Sequence, residues 1–273
     1  MWSLLVKKLF NKFACQRLRI KKLNGHDVHV VEGDNPKSLA LLAKAYKEVY
    51  EAGFPIKEAR ESLDVWLDNL KDKQASVNIT ISILGENLDT SNPILKAMTI
   101  GYYYQNQDVG LLAYIVTAPA FMTQGLGSTL NDANNHALLQ FAKNKKSQLK
   151  GIFLECNDPA KVSAQEDVMD PAVRIKIFEK WGAIVLPIDY VQPPLEKGAA
   201  KCDTLKLLAY PHPETGQYPT PEAIKAYITG IYTELAKYAG CSPKNNPDYT
   251  KTIKQINALK PLPAPKKKPP SPH

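Results

Sequence analysis

The chain is short of the features that staple or anchor small proteins. Only four of its 273 residues are cysteine, Cys15, Cys156, Cys202 and Cys241, and they lie far apart with no Cys-x-x-Cys pair. The histidines do not cluster either. A zinc site or a disulfide framework is therefore not expected, and four isolated thiols fit a reducing compartment such as the cytoplasm. No uncharged apolar run approaches the roughly 18 residues a membrane-spanning helix requires. No internal repeat is visible. Acidic residues are missing from both ends: residues 1–25 hold seven Lys or Arg and no acid, and residues 251–273 hold six Lys and no acid. The net charge of +8 belongs to these ends, because residues 26–250 carry 22 bases against 27 acids. A mildly acidic body is not built to lie along phosphate backbones, which argues against nucleic acid as the partner.

What is present describes a globular chain. Hydrophobic residues make up 44%, charged residues 23%, and the mean hydropathy is −0.30. This length buries a core without staples. In residues 1–25, Trp2, Leu5, Val6, Leu9 and Phe13 fall at helical spacing between lysines. A basic amphipathic segment of this kind can rest on an anionic membrane surface, making the protein peripheral there. It can also be a targeting segment, or simply a first helix packed on the body. Residues 241–273 are rich in proline and lysine and read as an extended or flexible tail.

Between these ends, 26–240 reads as one domain. His26–Glu32 reads as a strand, Asn35-Pro36 opens a helix, and Ile56, Ala59, Leu63, Trp66, Leu67 and Leu70 mark a second helix. Val77, Ile79, Ile81 and Ile83 alternate with polar residues as a half-buried strand. Met98–Gln105 and Gly110–Thr117 are two more strands around a polar turn. Ser128 to about Lys146 is a helix, Lys150–Cys156 a strand, and Pro171–Trp181 a helix closed by Gly182. Ala183–Leu186 and Thr204–Tyr210 are further strands. Thr220 and Pro221 cap a long helix with Ile224, Ile228, Ile231 and Leu235 on one face, ended by Gly240. The expected fold is α/β of the α+β kind: a mixed, mostly antiparallel twisted sheet flanked by helices, with an extra C-terminal helix.

Gly110–Leu130 carries the most information. A strand ends near Thr117, and Gln124-Gly125-Leu126-Gly127-Ser128-Thr129 opens a helix. Glycine leaves no side chain between a ligand and the backbone amides, and the first turn of a helix has unpaired N–H groups suited to phosphate oxygens. A Walker loop fails, because Gly127 is followed by Ser128 and not by lysine. A dinucleotide fingerprint fails, because Leu130 stands where a third glycine belongs and no acid follows at the required distance. A coenzyme A pyrophosphate cradle and a plain glycine turn remain.

Pro119-Ala120-Phe121-Met122-Thr123-Gln124-Gly125-Leu126-Gly127 resembles the coenzyme-binding turn of the GNAT superfamily of acyl-CoA-dependent N-acetyltransferases, Arg/Gln-x-x-Gly-x-Gly/Ala, often preceded by Pro-x-Tyr. Met122 departs from it at the Arg/Gln position. Farther on, Ile177-Phe178-Glu179-Lys180-Trp181-Gly182-Ala183 resembles the family's Leu-Tyr-Glu-Lys-x-Gly-Phe, with Phe178 in place of the tyrosine that often serves as general acid. Tyr190-Val191-Gln192-Pro193-Pro194-Leu195 resembles a segment of some bacterial members. The resemblance, spanning roughly 26–211, implies an enzyme that transfers acetyl from acetyl-CoA to an amine, with no metal. It implies that the pantetheine arm pairs with the backbone of Ile115, Val116 and Thr117. The pyrophosphate would rest on the amides of Gln124, Gly125, Leu126, Gly127, Ser128 and Thr129, with Asn157 bonding the amide chain. Glu155, an acid in an apolar strand, is the candidate base, and Tyr190 is the candidate acid in place of Phe178. Met122 and Phe178 keep open a non-catalytic acyl-CoA-binding or regulatory module. The acceptor and the oligomeric state are not readable from the sequence.

Overall fold

A computed structural model describes residues 17–54, 60–72, 74–167, 169–195, 197–240 and 242–264. The strands are β1 (Ile20–Leu23), β2 (His26–Val30), β3 (Val77–Glu86), β4 (Ile94–Tyr104), β5 (Val109–Thr117), β6 (Gly151–Asn157), β7 (Ile184–Val185) and β8 (Leu205–Tyr210). They are hydrogen-bonded in the order β1-β2-β3-β4-β5-β6-β8-β7. β1–β2, β2–β3, β6–β8 and β7–β8 are antiparallel, and β5–β6 is parallel. The sheet is therefore mixed and mostly antiparallel, as the element order predicts. The helices are α1 (Pro36–Ala45), α2 (Leu63–Lys71), α3 (Leu126–Asn144), α4 (Pro171–Lys180), α5 (Pro221–Ala239) and α6 (Pro247–Asn257). By backbone packing the chain divides into two compact units, residues 1–100 with 114–137, and residues 101–113 with 138–273. The division runs through β4, β5 and α3.

In the first unit, α1 starts where the sequence says. The Asn35 side chain accepts from the amides of Lys37 and Ser38, and Pro36 stands at the first helical position, where its missing N–H is not needed. The helix runs on through a π-helical stretch, Tyr46–Tyr50, and a last turn, Glu51–Gly53. Tyr50 and Trp66 are wholly buried, their rings 4.6 Å apart and edge to face, and Tyr46, Phe54 and Tyr114 join them in one aromatic cluster. A second cluster forms where α3 lays Leu126, Leu130 and Ala133 on Val28, Leu84 and Ala97, with Ile115 and Phe121 at its border. His29 is fully buried, its Nδ1 3.0 Å from the Arg19 carbonyl and its Nε2 2.6 Å from Ser38 Oγ. Ser38 Oγ in turn accepts from the Glu32 amide at 2.8 Å.

In the second unit, β6 is covered by α5. Thr220 caps α5 through the Ala223 amide, Gly240 closes it in the left-handed conformation, and Ile224, Ile228 and Ile231 are buried as the stripe predicts. Tyr227 stacks on Phe153 at 4.6 Å and 22°.

The structure differs from the sequence reading at both ends. Residues 20–23, inside the segment assigned to a basic amphipathic helix, form a strand that pairs with β2. Trp2 to Phe13, and Ile56 and Ala59 ahead of α2, lie outside the described residues. Residues 247–257, assigned by composition to a flexible tail, form α6. Asn246 caps it through the Tyr249 amide, Pro247 takes the first position, and Thr252 and Ile256 are buried. Proline density hid a helix that uses its proline only as a start signal.

Candidate active site

The glycine turn belongs to the first unit. β5 ends at Thr117, Pro119–Phe121 makes one 3-10 turn, and α3 begins at Leu126. The Ala118 amide bonds the Lys96 carbonyl at 2.9 Å, which fixes the strand exit on β4. Gly125 has φ +72, and a side chain there would meet open space. Glycine is thus required for its backbone angle, and the ground above it is clear. The turn from Met122 to Gly125 is exposed, with Met122 itself 56% exposed. Ser128 Oγ donates to the Gly125 carbonyl at 3.1 Å. The first turn of α3 holds no acid, so nothing there opposes an anion. On the strand side, a Cβ on Gly53 would stand 2.0 Å from Val116 Cγ2. The last helical turn after α1 therefore packs directly on the Val116 side chain of β5.

The candidate base belongs to the second unit. The parallel ladder pairs Val109 to Leu112 with Gly151 to Leu154. Glu155 is the next residue of β6, and on the other edge it pairs with Leu207 of β8. Three side chains converge on its carboxylate. Tyr190 donates to Oε1, Tyr227 donates to Oε1 at 3.0 Å, and Gln192 Nε2 donates to Oε2 at 2.7 Å. Burial pushes the Glu155 carboxyl above its usual range, and the bonds from Tyr190, Tyr227 and Gln192 offset only part of that rise. The same enclosure holds Tyr190 and Tyr227 well above 10, so both remain neutral donors. Glu155 and Tyr190 are in direct hydrogen-bond contact.

The other predicted residues are placed as follows. Ile115, Val116, Thr117 and Gln124 to Thr129 all lie in the first unit, on the end of β5 and on the turn. Asn157 ends β6 and donates to Asp167 at 2.7 Å. Asp167 is half-buried, and the loss of water would raise it, but the paired bonds from Arg174 and the bond from Asn157 outweigh this and hold it below the usual range. Arg174 is thus taken by Asp167 and does not neutralise Glu155. Phe178 is buried and packs edge to face on Trp181. Cys156, adjacent to Glu155, is buried as core, and burial pushes its thiol up to about 11. Among the described residues no group of acids, histidines and cysteines forms a metal site.

Sequence reasoning missed Tyr227 and Gln192 as partners of Glu155. Tyr227 carried a signal, being a hydroxyl-tipped ring on the apolar stripe of a long helix, three residues after Ile224. A buried phenol needs an acceptor.

No protein-family model matches the chain, and no curated protein matches it. Solved structures do match. A structure assigned to the GNAT acetyltransferase family from Bacteroides thetaiotaomicron aligns with TM-score 0.43 and 17% identity, over 67% of this chain and 85% of that one. An acetyltransferase from Bacillus subtilis in complex with CoA aligns with TM-score 0.40 and 11% identity, over 70% and 98%. A spermidine N-acetyltransferase variant from Vibrio cholerae aligns with TM-score 0.40 and 13% identity, over 67% and 91%. The chain itself has a mixed, mostly antiparallel α+β fold in which β5 and β6 run parallel and a glycine turn opens the helix between them.

Proposed function

We propose that this protein is an N-acetyltransferase that moves an acetyl group from acetyl-CoA to an amine. The observation that carries the reading is Glu155. It is an enclosed carboxyl with a raised pKa, one residue past the end of the parallel ladder, held by two neutral phenols and an amide. A structural ion pair lowers a carboxyl; a base for an amine benefits from one raised toward neutrality. In this reading the backbone of Ile115, Val116 and Thr117 pairs with the pantetheine arm. The amides from Gln124 to Thr129 hold the pyrophosphate, and Asn157 lies along the amide chain. The amine nitrogen attacks the thioester carbon, a C–N bond forms, and the nitrogen's proton goes to Glu155. Collapse breaks the C–S bond. Tyr190 gives its proton to the departing thiolate and recovers one from Glu155. A thiolate is a good leaving group, so this acid has modest work to do.

The test is an acetyl-CoA turnover screen across an amine library, reading released thiol, with Glu155→Gln as the control. Turnover with at least one amine, lost in E155Q, supports the proposal; binding of neither acetyl-CoA nor CoA in calorimetry refutes it. A second reading, a non-catalytic acyl-CoA-binding module, is favoured by Phe178, which is packed in the core and has no proton to give. CoA binding without turnover on any amine selects it.

A further inference from the structure

Lys96 is out of place by composition. It stands in β4 among buried residues, its side chain 11% exposed. Lysine is among the residues least often buried and needs a partner when it is. Two neighbours meet its ammonium: the Glu86 carboxylate at the end of β3, in ion-pair contact, and the Phe121 ring, with Nζ 5.5 Å from the centroid. Both neighbours are informative. Phe121 closes the 3-10 turn between β5 and α3, and its ring borders the same cluster as Leu126, the first residue of α3. The Lys96 carbonyl bonds Ala118 at the opposite end of that turn. Lys96 is therefore tied to the strand-to-helix turn through both its backbone and its side chain. The turn itself, Pro119 to Thr129, contains no lysine, arginine or histidine. Glu86, by contrast, is half exposed, so its carboxylate can swing into water at little expense.

We propose that Lys96 is a binding residue for the pyrophosphate of coenzyme A, and that Glu86 occupies its ammonium as an exchangeable stand-in anion. The inference rests on the proposed function and deepens it by naming a cationic contact. A diphosphate carries more charge than the amides of one helix turn neutralise, and a cation held by a ring and flanked by apolar residues meets it with little competition from water. Glu86 keeps the lysine from being buried unpaired in the empty protein. On binding, the Lys96–Glu86 contact breaks, a Lys96–phosphate contact forms, and no proton moves.

The experiment is calorimetric titration of the full chain with CoA and with dephospho-CoA, which keeps the pyrophosphate but lacks the 3′-phosphate. Lys96→Met is expected to weaken both by about tenfold or more, the usual scale for losing a charge-assisted contact. Glu86→Gln keeps an uncharged oxygen facing the Lys96 ammonium, and, with its thermal unfolding measured alongside to establish that it folds, it is expected to tighten both several-fold, because the competing anion is gone. CoA binding that is equal in the unaltered protein and in E86Q overturns the stand-in role. Equal binding by K96M overturns the lysine contact. A K96M loss confined to CoA overturns the pyrophosphate assignment. Absence of CoA binding in the unaltered protein removes the proposed function and this inference together, so the two failures are distinguishable.

Discussion

Replacing Glu155 by glutamine tests whether the enclosed carboxyl titrates as its surroundings require. The amide keeps an oxygen for Tyr190 and Tyr227, and its NH2 meets Gln192, whose own amide can turn over to present oxygen. At pH below the ordinary glutamate value of 4.5, wild type and variant are both neutral at this position, and their stabilities should be close. Above it the unfolded wild-type chain releases the proton, while the folded chain retains it until its raised pKa is reached. The folded state then binds more protons than the unfolded one, so wild-type stability falls with rising pH. The fall is at most about 1.4 kcal/mol per pH unit for one proton. E155Q lacks this loss. Its melting temperature relative to wild type should climb by about 3–5 °C per pH unit from 4.5 upward, then level off at the folded pKa. Thermal unfolding from pH 4 to 8 in matched buffers reads this directly, and the plateau locates the pKa. A difference that stays flat across the range would refute the reasoning, because the carboxyl would then titrate alike folded and unfolded. A difference of opposite sign would show that the pocket prefers the carboxylate.

Three further outcomes follow from the same geometry. Tyr227→Phe keeps the stack on Phe153 but removes one donor to Glu155; it should cost about 1.5–3 kcal/mol at neutral pH in chemical denaturation, and should move the acidic limb of any pH–rate profile upward, since that bond lowers the Glu155 pKa. Gly53→Ala places a methyl 2.0 Å from Val116 Cγ2; the Val116 side chain or its strand must give way, so CoA affinity in calorimetry should fall more than for Gly25→Ala, whose site is open. With a thiol-alkylating reagent at pH 8 and residue-level mass spectrometry, Cys202, half-buried with its thiol against the Thr204 hydroxyl, should label well before Cys156, which is buried with its pKa pushed up to about 11.

Much of this architecture was legible because local signals and burial agreed. Asn35-Pro36, Thr220-Pro221 and the Gly240 stop each mark a real helix end, and alternation from Val77 to Ile83 marks a real strand. The failures share a cause. Ile20–Leu23 has lysines at its centre and only two partly buried residues, so its pattern carries no period; only pairing with β2 makes it a strand. α6 was masked by the proline-rich composition around it. At the site, Glu155 was visible as an acid in an apolar strand, but its partners come from residues 190, 192 and 227, brought in by tertiary packing. No spacing in the sequence encodes that meeting. Lys96 was hidden in the same way, since a lysine in a strand reads as solvent-facing until the element above it is known.

The bonding around His29 has a direction. The Arg19 carbonyl can only accept, so Nδ1 must carry the hydrogen, and Nε2 of the neutral ring must accept from Ser38, whose oxygen accepts from the Glu32 amide. The His29 ring and the Ser38 hydroxyl each donate once and accept once. Burial lowers the His29 pKa, and stability from this arrangement is present above the ordinary value of 6.5 and is lost as pH falls through the folded pKa. A second proton on the ring would set donor against donor at Ser38, whose hydroxyl hydrogen would have to turn away. The ring is thereby a fixed one-way connector between the entrance of the first strand and the first turn of α1, and acid loosens that seam.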